Sequence, residues 1–326
     1  MPESSRLGKA FIVVAGAALL YLLITLTAGW SDTRLALSRL SPSIVPTLVG
    51  LSLLNYALRF WRWELYRRRL RVPLRTGESL TLFLATFAMV VTPGKVGEIY
   101  KAGYLREKHQ VPLSTGIPIL LAERVLDFLA ILALAAVGLA SWHGPLAGLR
   151  PSLAIAALIL VLLLALRSRR LQTRLLAVAT RAPRLHACRD ALGEAVDALQ
   201  NISTVPVTVV AFALSLVAWA AECLGLWYVC AGLGAPVAPL TATFVYAVAT
   251  LAGSLIFLPG GLGGTEGTII FLLGAAGLAA GVTVAAALVV RLATLWLAVA
   301  IGVGVFLARR RMFLERPPTA AAPEVR

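Results

Sequence analysis

Residues 79–103 read SLTLFLATFAMVVTPGKVGEIYKAG, and their chemistry reverses halfway along. The apolar run LTLFLATFAMVV (80–91) is suited to a bilayer but is shorter than the roughly 20 residues a crossing helix requires. Pro93-Gly94 then stops the helix, because proline has no N–H to donate and glycine tolerates almost any backbone geometry. Lys95, Glu98 and Lys101 follow at once. Such a break is tolerated at membrane depth only where protein or a water-filled cavity covers the freed backbone groups. The stretch therefore predicts the tip and return arm of a re-entrant hairpin, not an interrupted crossing.

The rest of the chain makes a membrane the only sensible solvent. Of 326 residues, 59% are hydrophobic and 14% charged, with a mean hydropathy of +0.86, far too apolar for a soluble domain to bury. The apolar segments are long and lack two-residue alternation, which excludes a β-barrel. The expectation is an all-α polytopic membrane protein with six full crossings, near 10–30, 43–64, 113–141, 151–167, 204–232 and 282–308. The short pieces 79–92 and 241–258 end in PGKVG and PGGLG and would form two re-entrant Pro-Gly hairpins; counted as crossings, they give eight helices. The N-terminal apolar stretch is long enough to span and no A-x-A site follows it, so it reads as a retained first helix rather than a signal peptide.

The net charge of +15 is concentrated in clusters that mark cytoplasmic loops rather than a nucleic-acid site, since no basic stripe interleaves with stacking aromatics. Arg6 and Lys9, the run RFWRWELYRRRLRVPLR (59–75), RSRRLQTR (167–174) and ARRRM (308–312) all fit one arrangement with both termini cytoplasmic. The intervening stretches 31–40, 141–150 and 232–239 are poor in positives and read as external loops. Arg59, Arg62, Trp61 and Trp63 look like an interfacial anchor belt. Residues 168–202 show helical spacing of Leu, Ala and Val and are expected to form an amphipathic cytoplasmic connector on the interface. The Pro/Ala-rich tail 313–326 is expected to be disordered. Cys188, Cys223 and Cys230 have no metal or disulfide spacing, and no metal or cofactor is expected.

The two halves, 1–146 and 147–312, repeat one order: helix, helix, Pro-Gly hairpin, helix. Arg124 follows Pro93 by 31 residues and Arg291 follows Pro259 by 32. ERVLDFLAILALA (123–135) parallels VRLATLWLAVAIG (290–302), and Asn55 and Glu222 precede their prolines by 38 and 37 residues. Three full crossings per half would turn the second copy upside down, the construction of many transporters.

Charges within the bilayer cost about 2.5–3.5 kcal/mol each, so they need partners or water. The set comprises Lys95, Glu98, Lys101, Glu123, Arg124, Asp127, Glu222, Glu266 and Arg291. Arg124 and Asp127, three apart on a helix, share a face and can pair; Arg291 can pair with Glu266. Arg124 and Arg291 would both point at the hairpin tips Pro93, Gly94, Gly97 and Pro259, Gly260, Gly261, Gly263, Gly264, whose glycine turns expose backbone N–H groups. Cations and bare amides near the midplane make an anion site, and the obvious anion in a membrane is a lipid phosphate. Glu222 has no arginine in its own helix, and as a protonatable carboxylate it can couple movement to protons. No HExxH, GxSxG or phosphate-binding loop is present, which argues against an enzyme.

The segments NYALRFWRW (55–63), TPGKVGEIYKAGYL (92–105), VPLSTGIPILLAERVLDFLAI (111–131) and LPGGLGGTEG (258–267) resemble the lysylphosphatidylglycerol synthase transmembrane-region family of flippase-like membrane proteins. The resemblance implies the membrane half of the multiple peptide resistance factors, which translocates aminoacylated phosphatidylglycerol. It does not imply their soluble aminoacyltransferase domain, because the sequence stops at 326. The expectation is a lipid flippase of a bacterial inner membrane, with membrane lipids of anionic headgroup as partners and a homodimer as one available assembly. Lys95, Arg124 and Arg291 would hold phosphate, and the acids would pair them, gate, or bind a cationic headgroup moiety. The alternatives are a membrane-embedded lipid-modifying enzyme and a non-transporting lipid-binding accessory protein.

Overall fold

The computed structural model describes residues 30–38, 40–92, 98–144, 159, 161, 167–179, 189–255 and 259–314, and no strand occurs among them. The chain is an all-α membrane protein. Among the described residues the helices are α1 (Trp30–Ser38), α2 (Ile44–Arg69), α3 (Thr76–Ala85), α4 (Ile99–His109) and α5 (Leu113–Leu139), then α6 (Arg169–Ala179) and α7 (Arg189–Ile202). They continue with α8 (Val205–Gly232), α9 (Pro239–Leu255), α10 (Gly264–Ala275), α11 (Ala280–Arg291), α12 (Leu297–Ala308) and the short α13 (Arg310–Leu314). A 3-10 turn, Thr86–Met89, tightens the end of α3, and a π-turn, Leu292–Trp296, fuses α11 and α12 into one rod.

Among the described residues three helices are long and apolar enough to cross a membrane: α2, α8 and the 29-residue rod Ala280–Ala308. Helix α5 is as long, at 27 residues, but carries Glu123, Arg124 and Asp127 in its middle. The boundaries follow local chemistry. Pro206 lies in the first turn of α8, where its missing N–H costs nothing, and Arg67, Arg68 and Arg69 close α2 at the negative end of its dipole. The expected crossing 10–30 lies outside the described residues except for Trp30, as does most of 151–167.

Two sequence expectations are corrected here. The stretch 31–40, expected as an external loop, is mostly helix α1, and it packs on α11: a Cβ on Gly281 would stand 2.8 Å from the Asp32 backbone. The connector 168–202 does contain helices, but α7 docks on α5 rather than only resting on an interface. Leu199 and Ile202 are buried, and the Ser114 hydroxyl donates to Glu194 at 2.7 Å. Helical spacing of Leu, Ala and Val shows that a face is apolar, not what covers it.

Because lipid tails are as apolar as leucine, helix association in a bilayer depends on close packing more than on apolar burial. Small residues accordingly mark the contacts. Helix α2 lies along α8. Helix α9 lies on α5 at Gly138, where a Cβ would stand 2.5 Å from the Phe244 nitrogen. Helix α12 lies on α3 and its 3-10 turn at Gly302, where a Cβ would stand 2.1 Å from the Ala88 nitrogen. Each half thus lends its short apolar helix to the long last helix of the other.

Candidate functional site

Helix α2 turns one face inward. Asn55, Arg59, Arg62 and Tyr66 recur at helical spacing on that side, and Trp61 on another is 67% exposed. Only Trp61 fits the anchor belt expected from sequence. Arg62 and Trp63 are 1% and 0% exposed, so the belt reading fails for them. Helix α8 answers with Ser215, Trp219 and Glu222, again on one face. The Asn55 amide donates to the Ala218 carbonyl at 2.8 Å and ties the two helices together one turn from Glu222.

The three charges of α5 find their partners on other helices, Asp127 on α2 and α8, Glu123 and Arg124 on α4 and at its start. Asp127 Oδ1 accepts from Arg62 Nη1 at 2.6 Å and from the Trp219 indole at 3.0 Å, and Arg62 also donates to the Ser215 hydroxyl. Arg59 Nη2 stands 3.6 Å from Asp127 Oδ2, with its guanidinium 5.8 Å from the Trp219 ring centre. Glu123 takes Lys101 of α4 at 3.0 Å, and that ammonium lies 4.5 Å from the Trp63 ring. Arg124 pairs with Glu98 at the start of α4. The expected Arg124–Asp127 pair is therefore absent: shared helical spacing brought the two near, but α2 and α4 supply stronger partners. Lys95, Pro93, Gly94 and Gly97 lie outside the described residues.

In the second half the expected Arg291–Glu266 pair is present, at 2.6 Å. The turn Pro259–Gly261 carries Gly260 and Gly261 at φ 62° and 67°, and Gly263 follows at 80°, values that favour glycine because it has no Cβ. Arg291 Nη2 donates to the Gly260 carbonyl at 2.7 Å. Glu266 caps α10, whose first residue is Gly264, by accepting the Gly263 N–H at 2.8 Å. This corrects the expectation of an open amide nest at that tip. The helix N-terminus already holds an anion, the protein's own carboxylate.

A cavity of about 100 Å³ opens between these parts. Arg59, Trp219 and Glu222 line it beside Tyr56, Tyr246, Thr250, Ser254, Thr265 and Arg291, with Gly260 and Gly261 at the tip. Tyr246 donates to Glu222 at 2.7 Å, and Tyr56 donates to the Thr294 carbonyl at 2.5 Å. Of the sequence-derived set, Glu222, Arg291, Gly260 and Gly261 reach this cavity, whereas Lys101, Glu123 and Arg124 are not on its wall. Arg59 was missed. Its signal was the spacing 55, 59, 62, 66, which places it on the face of Asn55.

Away from this cavity, at the arginine-rich end of α2, Arg67 forks onto Glu64 at 2.7 and 2.8 Å and also holds the Val72 and Leu74 carbonyls at 2.9 Å. Tyr104 and His109 of α4 meet Glu78 at 2.8 and 2.7 Å; burial and this carboxylate raise the Tyr104 phenol above its ordinary value. Both groups serve the connections between helices.

Comparison with known proteins agrees with this architecture. Residues 10–302 match the family model described as "Lysylphosphatidylglycerol synthase TM region". Two proteins of Methanothermobacter thermautotrophicus, each described as a UPF0104 membrane protein, are similar over 90% of this chain and 93% of their own lengths, at 26% and 28% identity.

Proposed function

Since the chain belongs to the lysylphosphatidylglycerol synthase transmembrane-region family, we propose that it is a flippase-type lipid transporter and not an enzyme. It moves an anionic or aminoacylated phospholipid, or an isoprenoid-type polar lipid, between leaflets by alternating access. The observation that carries this reading is the cavity itself: a chamber with two arginines and a glutamate among the groups on its wall, inside a membrane protein that exposes many large apolar side chains. A headgroup can enter such a chamber while its acyl chains stay in the bilayer.

Alternating access needs two halves that can exchange roles, and we propose that the halves are inverted repeats. Three features support the reading. Helices α2, α3, α4 and α5 correspond in order to α8, α9, α10 and the α11–α12 rod, with lengths of 26, 10, 11 and 27 residues against 28, 17, 12 and 29. The contacts exchange under that correspondence: α9 on α5 matches α3 on α12, and α7 on α5 matches α1 on α11. The arginine–glutamate pairs also correspond, Arg124 with Glu98 and Arg291 with Glu266. In the same reading both Pro-Gly tips are re-entrant, both termini are cytoplasmic, and the membrane is a bacterial plasma membrane. Glu222 supplies the proton-coupling carboxylate.

The test is reconstitution in liposomes with headgroup-labelled phospholipids and a membrane-impermeant quencher. Purified protein is expected to accelerate inter-leaflet movement, and Glu222→Gln and Arg291→Ala to slow it. Movement no faster than in protein-free vesicles, across anionic, aminoacylated and isoprenoid-phosphate lipids, would sink the transporter reading; wild-type rates in both variants would sink the site.

A further inference from the structure

Around the middle of α5, four buried or half-buried cations, Arg59, Arg62, Lys101 and Arg124, face three carboxylates, Asp127, Glu123 and Glu98. Lys101 and Arg124 each have a carboxylate of their own, whereas Arg59 and Arg62 share Asp127. The sharing is unequal. Arg62 holds Asp127 Oδ1 at 2.6 Å, while Arg59 approaches Oδ2 only to 3.6 Å, beyond hydrogen-bond length. Neither Asp127 Oδ2 nor the buried Arg59 Nε has a hydrogen-bond partner. The surplus positive charge therefore sits on Arg59, on the cavity wall, braced against the Trp219 ring.

Arg291 on the opposite side is in a different condition. Its Nε is committed to Glu266 and its Nη2 to the Gly260 carbonyl, so its Nε–Nη2 fork is already engaged within the protein. An arginine binds phosphoryl oxygens best through two parallel N–H groups, and unpaired buried donors are costly enough to make a ligand welcome.

We propose that Arg59 is the anion-binding group of the cavity: its Nε and Nη2 take two phosphoryl oxygens of a headgroup, and Asp127 passes wholly to Arg62. The role of Arg59 rests on the geometry; that its ligand is a lipid rests on the transporter reading. One incompletely paired arginine, with Glu222 lining the same chamber, matches a singly charged phosphodiester better than a doubly charged phosphomonoester, because the second charge would be brought against the Glu222 carboxylate.

The test measures binding in detergent, apart from transport, by titrating the purified protein with dihexanoyl-phosphatidylglycerol, dihexanoyl-phosphatidic acid and inorganic phosphate. The phosphodiester is expected to bind tightest, and Arg59→Ala to weaken it by about tenfold or more. Arg59→Lys keeps the charge without the fork and should fall between, while Arg68→Ala, an exposed arginine, serves as the unaffected control. Asp127 keeps Arg62 and Trp219 in every Arg59 variant, so folding is expected to survive; should Arg59→Ala not fold, Arg59→Lys still decides. Wild-type affinity in whichever variant folds overturns the role of Arg59. Equal or tighter binding of phosphatidic acid or inorganic phosphate overturns the single-charge specificity. If vesicles show no lipid movement but binding still depends on Arg59, the transporter reading fails and this assignment stands.

Discussion

The two halves solve one problem, charge inside a membrane protein, in different ways. The first half links α2, α4, α5 and α8 through a dense set: Arg59, Arg62, Lys101, Glu98, Glu123, Arg124 and Asp127. The second binds its tip with one pair, Arg291 and Glu266, completed by backbone groups of Gly260 and Gly263. Glycine packing, in contrast, is alike in both, with Gly138 receiving α9 and Gly302 receiving the turn after α3. The difference teaches that both halves rest on close backbone approach at a glycine, whereas their charges are arranged in unlike ways.

The frame is therefore where substitution should cost most. Gly302→Val and Gly138→Val each force a side chain into another helix's backbone, which cannot move aside as a flexible side chain would. Overpacking of this kind costs typically about 1–3 kcal/mol and more against rigid backbone. Both variants should lose monodisperse folded protein in detergent, and Gly302→Val, with the 2.1 Å approach, should be the worse. If only one half were sensitive, the likeness of the two frames would be wrong.

The charges should separate the halves. Asp127→Ala leaves Arg59 and Arg62 buried together without a carboxylate, and removing one partner of a buried pair costs about 3–5 kcal/mol. Glu266→Ala strips Arg291 of its carboxylate but leaves it the Gly260 carbonyl, so its loss should be smaller. Thermal melting in one detergent compares them directly. A larger loss in Glu266→Ala would invert the comparison.

Much of the frame was legible in the sequence and the pairing was not. Helix α8 spans Val205–Gly232 where 204–232 was expected, and the break at Pro259 falls where a short apolar run stops, because length, hydropathy and proline act locally. Charge pairing is not local. Arg124 and Asp127 share a helical face, yet their partners come from α4 and α2, and only the packing of those helices decides it. Arg59 and Arg62 misled for a related reason: arginines beside tryptophans suit a headgroup belt, and burial is invisible until α8 covers that face. The row Asn55, Arg59, Arg62, Tyr66 was the available clue. The loop expected at 31–40 had none, since the apolar face of α1 is short.

The finest comparison lies within the first half, between Lys101–Glu123 and the exposed arginines at the end of α2. Both members of the Lys101–Glu123 pair are buried, at 4% and 6% side-chain exposure, and the ammonium is enclosed by Trp63 and Phe83. Lys101→Met and Glu123→Leu should each cost about 3 kcal/mol as single changes, since each strands a charge, but the double variant should recover most of the loss. A double variant as damaged as the worse single would mean that the pair serves something other than helix packing. Arg68→Ala sets the lower bound. Its side chain is 67% exposed and meets Glu64 only at 3.3 Å, while Glu64 keeps its two bonds to Arg67, so the change should cost under about 0.5 kcal/mol. Raising the salt concentration should leave the Lys101–Glu123 coupling nearly intact and erase what little Arg68 contributes, because ions screen the exposed contact and cannot reach the enclosed one.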